Sequence, residues 1–202
     1  MSSTRVIYLL LALFVTSCAT QQQPTQLSQV AETDMAEPSQ RFTVTPEQKQ
    51  LYRQAITALN DNRLDDAKDL LNRFQQEKPG LAGSYANLGL IYYKQEKLDA
   101  SEQQLKKALE LNPQQAQALN LMGQIEFSRG RAAESEGFYK RALEVDQDYA
   151  IAHYNIALLY DIFFQDIPRA IEHYRKYLDL TGNQDEITRN WLEQLVNSQR
   201  GG

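Results

Sequence analysis

The chain has 202 residues, of which 42% are hydrophobic and 23% are charged, and its formal net charge is −5. This length accommodates one ordinary domain with additional segments, and the acidic balance excludes the basic stripe typical of nucleic-acid-binding proteins. Its single cysteine, Cys18, excludes an intramolecular disulfide.

The first predicted element is an apolar segment near the N-terminus. Val6–Val15 is an unbroken apolar run that follows the positive charge of Arg5. The run suits the core of a secretory signal peptide and is too short to span a bilayer. Its end, Val15-Thr16-Ser17-Cys18, resembles a bacterial lipobox, whose cysteine is diacylated and becomes the new first residue. We expect residues 1–17 to be a lipoprotein signal peptide and Cys18 to carry the lipid; a secreted protein with a stray cysteine is the alternative.

The lipoprotein resemblance also implies a location. In lipoproteins of enterobacterial type an aspartate after the acylated cysteine retains the protein at the inner membrane, and this chain has Ala19 there. We therefore expect a lipid anchor in the outer membrane, facing the periplasm, with inner-membrane anchoring as the alternative. Residues 18–45 are rich in Gln and contain Pro24 and Pro38, which predicts a disordered tether after the acylated cysteine.

A 34-residue period dominates the rest of the chain. Residues 48–81, 82–115 and 116–149 align without a gap, and residues 150–184 form a fourth block with one inserted residue. Small residues recur at the eighth position and the twentieth position of each block; at the eighth they are Ala55, Gly89, Gly123 and Ala157. This period resembles the tetratricopeptide repeat, a helix–turn–helix unit. The resemblance implies an all-α fold, a right-handed α-solenoid of four such repeats.

Local signals mark the helix boundaries. Thr45-Pro46-Glu47-Gln48 predicts a capping box that opens the first helix. The small eighth and twentieth positions predict a close approach of the two helices of one repeat. Asn62 and Gly130 tolerate the left-handed turn between helices, whereas Glu96 occupies that turn in the second block at a small local cost.

The last predicted element caps the solenoid, because an open end exposes an apolar face. Residues 185–202 are predicted to form this capping helix and a short tail. We expect Trp191 to be a buried anchor of the cap, with a ligand contact as the alternative. The apolar stripe comprises Ile187, Trp191, Leu192, Leu195 and Val196.

The family resemblance implies a binding groove lined by the first helix of each repeat. A helix or an extended polypeptide is the implied ligand, held by ring contacts and amide hydrogen bonds. Part of the set is alternatively packing between repeats. The implied groove residues are Tyr52, Ile56, Leu90, Tyr93, Lys94, Asn120, Gln124, Phe127, Tyr154, Leu158 and Asp161.

The insertion in the fourth block replaces a short polar turn with an apolar one around Phe163 and Phe164. One interpretation is a longer first helix whose rings pack on the C-terminal helix. The alternative is an exposed hydrophobic hook for a partner.

No pattern predicts catalysis. His153 and His173 belong to no metal-ligand spacing, and we expect both to be structural. The sequence contains no Gly-rich phosphate loop or nucleophile elbow. We predict no enzyme activity, cofactor, metal, nucleic acid or small-molecule substrate.

The combined expectation is a membrane-anchored periplasmic scaffold or adaptor of a cell-envelope assembly, which binds a protein or peptide segment in its groove and the membrane through acyl chains on Cys18. The alternatives are a pilotin-like factor for type IV pilus biogenesis, and a module that recruits a periplasmic protease or hydrolase to its substrate.

Overall fold

The computed structural model describes residues 44–200, and all regular structure in this range is helical, which confirms the all-α prediction. The predicted signal peptide, Cys18 and almost all of the predicted tether lie outside the described residues. No described helix has the length and apolarity needed to cross a membrane. The elements are α1 Pro46–Asn60, α2 Leu64–Glu77, α3 Ala82–Lys94, α4 Leu98–Leu111, α5 Ala116–Ser128, α6 Ala132–Val145, α7 Ala150–Leu159, a π-helical turn Tyr160–Phe164, α8 Ile167–Leu180 and α9 Glu186–Arg200.

The described residues divide into two compact units, one up to Gly83 and one from Ser84 onward. In the first unit α1 and α2 form an antiparallel pair. The predicted capping box is present, because the Gln48 amide donates to Thr45 Oγ1 (3.3 Å) and the Thr45 amide donates to Gln48 Oε1 (3.1 Å). Between the helices the rings of Tyr52 and Phe74 lie 4.9 Å apart, and Ala55 of α1 is fully buried.

The second unit contains α3 from Ser84 onward and all the following helices. Its core includes Leu119, Ala142 and Ala152, which join α5, α6 and α7. Partly buried rings and leucines pack against this cluster; they are Leu109, Phe138, Leu143 and Tyr149.

The close approach of the two helices within a repeat has an atomic cause in the second unit. A Cβ atom on Gly89 would lie 2.6 Å from Leu105 Cδ2, and one on Gly123 would lie 2.5 Å from Tyr139 Cε1. The twentieth position contributes a hydrogen bond: Ser101 Oγ donates to the Gly89 carbonyl at 2.7 Å. An equivalent bond of 2.8 Å joins Ser135 and Gly123. The small residues therefore let a side chain and a backbone carbonyl meet across the pair.

The turns between paired helices share one backbone geometry. Asn62, Glu96 and Gly130 adopt positive φ angles of 59°, 59° and 73°, as predicted for these turn positions. The next amide in each turn donates to a carbonyl five residues earlier, as in the 2.9 Å bond from Lys97 N to Tyr92 O. Glu96 is exposed at this turn. Its cost in stability is therefore that of placing a non-glycine residue in the left-handed region.

The inserted residue lengthens this turn in the fourth repeat. Residues Tyr160–Phe164 widen into a π-helical turn, and Gln165 takes the left-handed position with φ 52°. The closing amide of Asp166 now donates to the Tyr160 carbonyl, six residues earlier, at 2.9 Å. A π turn is the usual way for a helix to absorb one extra residue.

Helix α9 is fixed to the end of the second unit by polar contacts. Asp185 accepts from the Thr188 amide (3.0 Å), the Thr188 hydroxyl (2.7 Å) and the Tyr177 hydroxyl (3.0 Å). Trp191 Nε1 donates to Asp161 Oδ2 at 2.7 Å. The indole therefore anchors the cap to the π-helical turn, although it is partly exposed and not buried as predicted.

Candidate functional site

Five of the predicted groove residues are buried by neighbouring helices. Tyr154 packs its ring against Tyr174 and Tyr177 of α8, at centroid distances of 6.0 and 5.1 Å. Asn155 Nδ2 donates to Asn120 Oδ1 at 2.9 Å inside the second unit. The tyrosine contacts pack the two helices of the fourth repeat on each other, and the Asn155–Asn120 bond joins the third repeat to the fourth. The five buried residues are Tyr52, Ile56, Leu90, Asn120 and Tyr154.

The remaining predicted residues are partly exposed, and most belong to the C-terminal ends of α3 and α5. The Tyr93 hydroxyl hydrogen-bonds with Ser128, next to Phe127. Phe127 packs edge-on against Phe163 of the π-helical turn, with centroids 5.0 Å apart. Through these contacts, side chains from the second, third and fourth repeats lie next to one another. We call Tyr93, Lys94, Gln124, Phe127 and Phe163 the accessible edge.

The accessible edge carries one cation. Burial lowers the pKa of Lys94, and no carboxylate among the described residues opposes this effect. Burial also raises the pKa of the neighbouring Tyr93, with its hydrogen bond to Ser128 acting in the opposite direction. The half-buried ammonium therefore has no anionic partner within the second unit.

Gln124 adds an unsatisfied acceptor to this edge. Its Oε1 atom is buried and accepts no hydrogen bond within the described residues. Gln117 lies two turns earlier on the same face of α5, and its Nε2 atom is likewise without a partner there. An unpaired buried polar group costs about 1–3 kcal/mol.

Two predicted groove residues behave differently from the edge. Asp161 corresponds by repeat register to Tyr93 and Phe127, but its carboxylate accepts hydrogen bonds from Trp191 (2.7 Å) and Tyr174 (3.4 Å). Burial raises its pKa, and both hydrogen bonds oppose that rise. Leu158 is partly exposed on α7.

The apolar turn of the fourth repeat is packed on one side and open on the other. Phe163 contacts Phe127, and Phe164 lies 5.9 Å from Tyr160. Their exposed fractions are nevertheless 40% and 39%, and Ile162 is 41% exposed. Each ring therefore contacts one neighbouring ring and leaves an apolar surface.

Glu126 shows a polar cluster that the repeat pattern did not predict. It replaces the aromatic residue usual at its position and is only 6% exposed. Arg131 and Arg129 both bind its carboxylate, and Arg129 also reaches Glu102 at 2.7 Å and Asp99 at 2.8 Å. This network satisfies the buried charge and joins two repeats. The excess of Arg in the following turn was the available sequence signal.

The two histidines also form a pair that their spacing did not predict. His153 Nδ1 lies 2.8 Å from His173 Nδ1 across α7 and α8. Within residues 44–200 no group of three or more His, Cys, Asp or Glu side chains is placed to hold a metal.

Comparison with known proteins identifies the repeat. A family model described as tetratricopeptide repeat matches residues 86–150. The photosystem I assembly protein Ycf3 of Prochlorococcus marinus is 33% identical over 89 residues, 43% of this chain and 51% of that protein. The chain spans about half, or less, of the length of the curated relatives that it matches.

Solved structures share the fold at lower identity. The structure of Pseudomonas aeruginosa pilF superposes with a TM-score of 0.67 at 20% identity, covering 76% of this chain and 69% of that one. The first repeat domain of Spaghetti (RPAP3), bound to the HSP90 peptide SRMEEVD, gives 0.54 at 20% identity, covering 59% and 93%. These likenesses confirm the predicted helical-repeat fold class.

Proposed function

Because the chain is a tetratricopeptide-repeat protein, a class that mediates protein–protein interactions, we propose that it is a scaffold that holds a segment of a partner protein on the accessible edge. The observation that carries this proposal is the combination of contacting rings, an unopposed ammonium and an unpaired amide on neighbouring helix ends. The solved RPAP3 complex supports it, since a related repeat domain there holds a peptide.

The chemistry of the edge defines the partner segment. The rings of Phe127 and Phe163 offer an apolar surface, and Lys94 lies one repeat from Phe127 and two from Phe163. A segment with an apolar side chain followed by a carboxylate would satisfy both. Rotation of the Gln124 side chain would bring its buried Oε1 atom out to accept a backbone N–H from an extended ligand.

Site-specific photo-crosslinking in whole cells tests this proposal. A photoreactive phenylalanine analogue at Phe127 should yield one dominant protein adduct that Lys94→Gln weakens. Leu111 and Val145, which are exposed on second helices of their repeats, provide matched control positions. Equal crosslinking from the controls would contradict the proposal.

Binding measurements then separate the roles of the edge residues. Phe127→Ala and Phe163→Ala should each weaken binding of the captured partner about 5–150-fold, which corresponds to about 1–3 kcal/mol for a lost anchor. Lys94→Gln should weaken binding less and reduce its dependence on salt, because an exposed charge pair is screened. Tyr154→Phe is the control, since Tyr154 is buried against α8.

We also propose that the scaffold is lipid-anchored at the outer membrane, facing the periplasm. The support is the apolar run ending at Cys18 and the Ala19 that follows it. Metabolic labelling with palmitate should mark the wild-type chain and be lost in Cys18→Ser. Persistent labelling of that variant, or recovery of the wild type from the cytosol, would contradict this localisation.

A pilotin-like role in type IV pilus biogenesis is the alternative proposal. The fold shared with the P. aeruginosa pilF structure favours it at the level of architecture. Deletion of the gene should then abolish surface pili, and the wild-type chain should restore them. Normal piliation in the deletion strain would contradict the pilotin-like role, and the proposal of a general scaffold would stand.

A further inference from the structure

His153 and His173 meet nitrogen to nitrogen. Their Nδ1 atoms are 2.8 Å apart and their ring centroids 5.1 Å apart. The difference between the centroid distance and the nitrogen–nitrogen distance is about twice the distance from an imidazole ring centre to a ring nitrogen. The line between the nitrogens therefore passes close to both ring centres. A separation of 2.8 Å in this orientation requires one hydrogen between the two nitrogens.

A backbone carbonyl sets the direction of this hydrogen bond. His153 Nε2 lies 3.0 Å from the Gln147 carbonyl oxygen, which can only accept, so Nε2 carries a hydrogen. The neutral His153 ring then has a lone pair at Nδ1. His173 must donate from its own Nδ1, which leaves its Nε2 unprotonated. The neutral pair thus has one defined arrangement of tautomers.

The pair can accept one proton without breaking. Protonated His153 keeps its bond to Gln147 and donates from Nδ1 to His173, which accepts after its own hydrogen moves to Nε2. A second proton places a hydrogen on both Nδ1 atoms. Neither ring can then accept, and two positive charges face each other in a partly buried site.

The surrounding charges agree with this order of protonation. Burial is the main cause that lowers the pKa of both histidines, and it brings the pKa of His173 to about 4, with the charge of His153 as the second cause. Around His153, Asp148 and Asp146 raise the pKa while Lys176 lowers it; around His173, Glu172 raises the pKa while Arg169 and Lys140 lower it. Arg175 and Asp179 also line the open cleft of about 580 Å³ beside the pair.

We propose that His153 and His173 form a proton-operated latch that holds α7 against α8, closed with no added proton or one and released by the second in acid. The release extends to the π-helical turn, because the Tyr160 ring stacks on His173 with a 24° interplanar angle. Arg169 covers the same tyrosine at 4.2 Å, so a charged His173 would bring a second cation to that ring. An effect on the accessible edge through Phe163 would rest on the proposed function, whereas the latch does not.

The direction of the pH effect follows from the lowered pKa values. Both histidines bind protons more weakly in the fold than in the unfolded chain, where the pKa is about 6.5. Their contribution to stability is therefore complete above about pH 6.5 and falls as the pH drops from there toward about 4. Each proton bound only by the unfolded chain raises the unfolding constant about tenfold per pH unit. One to two such protons raise the unfolding constant by a factor of about 10–100 per pH unit between about pH 6.5 and pH 4.

The test compares the full-length chain with His153→Gln/His173→Gln, in which uncharged amides replace the rings. Urea unfolding at pH 7.5, 6.5, 5.5 and 4.5 should show the wild type losing stability on acidification more steeply than the double variant. Asp161 and the other acidic groups are present in both proteins, so the difference isolates the pair. His173→Gln alone should retain a donor to His153 and flatten the profile in part.

Two-bond ¹H–¹⁵N spectra read the tautomers independently, and only two histidines contribute signals. At pH 7.5 we expect hydrogen on Nε2 of one histidine and Nδ1 of the other. Two identical Nε2–H tautomers, independent titration of both rings near pH 6.5, or parallel stability profiles of wild type and double variant would each overturn the latch. None of these results depends on partner capture.

Discussion

Substitution of Gly123 by Ala tests the close approach of paired helices most directly. The new Cβ atom would lie 2.5 Å from Tyr139 Cε1 and 2.6 Å from Cδ1, about 1 Å inside the ordinary contact distance. The ring is 2% exposed, so it cannot move aside without disturbing the packed pair. The helices must separate instead, which stretches the 2.8 Å bond from Ser135 to the Gly123 carbonyl.

The expected magnitude is a balance of opposing effects. Overpacking costs about 1–3 kcal/mol, and a weakened buried hydrogen bond costs about 1 kcal/mol. Alanine gains about 1 kcal/mol over glycine in a helix interior. Gly123→Ala should therefore lower the free energy of unfolding by about 1–3 kcal/mol. For a chain of this size that corresponds to a fall in Tm of about 2–4 °C for each kcal/mol.

Gly137 supplies the matched control for this prediction. It lies inside α6 with no atom within 4 Å of an added Cβ. Gly137→Ala should stabilise the protein by about 0.5–1 kcal/mol through helix propensity alone. Thermal unfolding followed by circular dichroism at 222 nm compares both variants with the wild type. Gly123→Ala with a Tm at or above that of Gly137→Ala would refute the argument from close approach.

Three further predictions concern single contacts of the second unit. Asn120→Leu should destabilise by about 1–3 kcal/mol because it leaves the Asn155 amide unpaired, and the double change Asn120→Leu/Asn155→Leu should cost less than the single one in urea unfolding; a larger cost would contradict this. Trp191→Phe should lower stability by about 1.5–3 kcal/mol by removing the N–H bond to Asp161, measured by urea unfolding, and an unchanged midpoint would show that the bond is not needed. Gln165→Gly should raise stability by about 1 kcal/mol, because its φ of 52° suits glycine better, and differential scanning calorimetry would detect the higher Tm or its absence.

The 34-residue period was enough to predict the paired helices and their turns. Helices α3, α5 and α7 begin at Ala82, Ala116 and Ala150, the first residues of the second, third and fourth blocks. The period succeeds here because helix lengths and turn geometry are properties of one repeat. Gly89 shows the limit: its small size predicted close approach, but Leu105 at the twenty-fourth position is the nearest side chain, and Ser101 contributes a hydrogen bond.

The candidate site was predicted less completely, because accessibility depends on what surrounds each repeat. Tyr93 and Phe127 share a register position and are both partly exposed. Asp161 shares that register position too, but its carboxylate accepts a hydrogen bond from the indole of Trp191, which lies outside the repeats. Likewise, nothing in the spacing of His153 and His173 showed that one ring would face the other.

The inserted residue connects these observations. The π-helical turn widens the end of the fourth repeat's first helix between Tyr160 and Gln165. Its opening residue stacks on His173, and Phe163 packs on Phe127 of the accessible edge. The π-helical turn, where the chain departs from the 34-residue period, therefore contacts the histidine pair, the cap and the accessible edge.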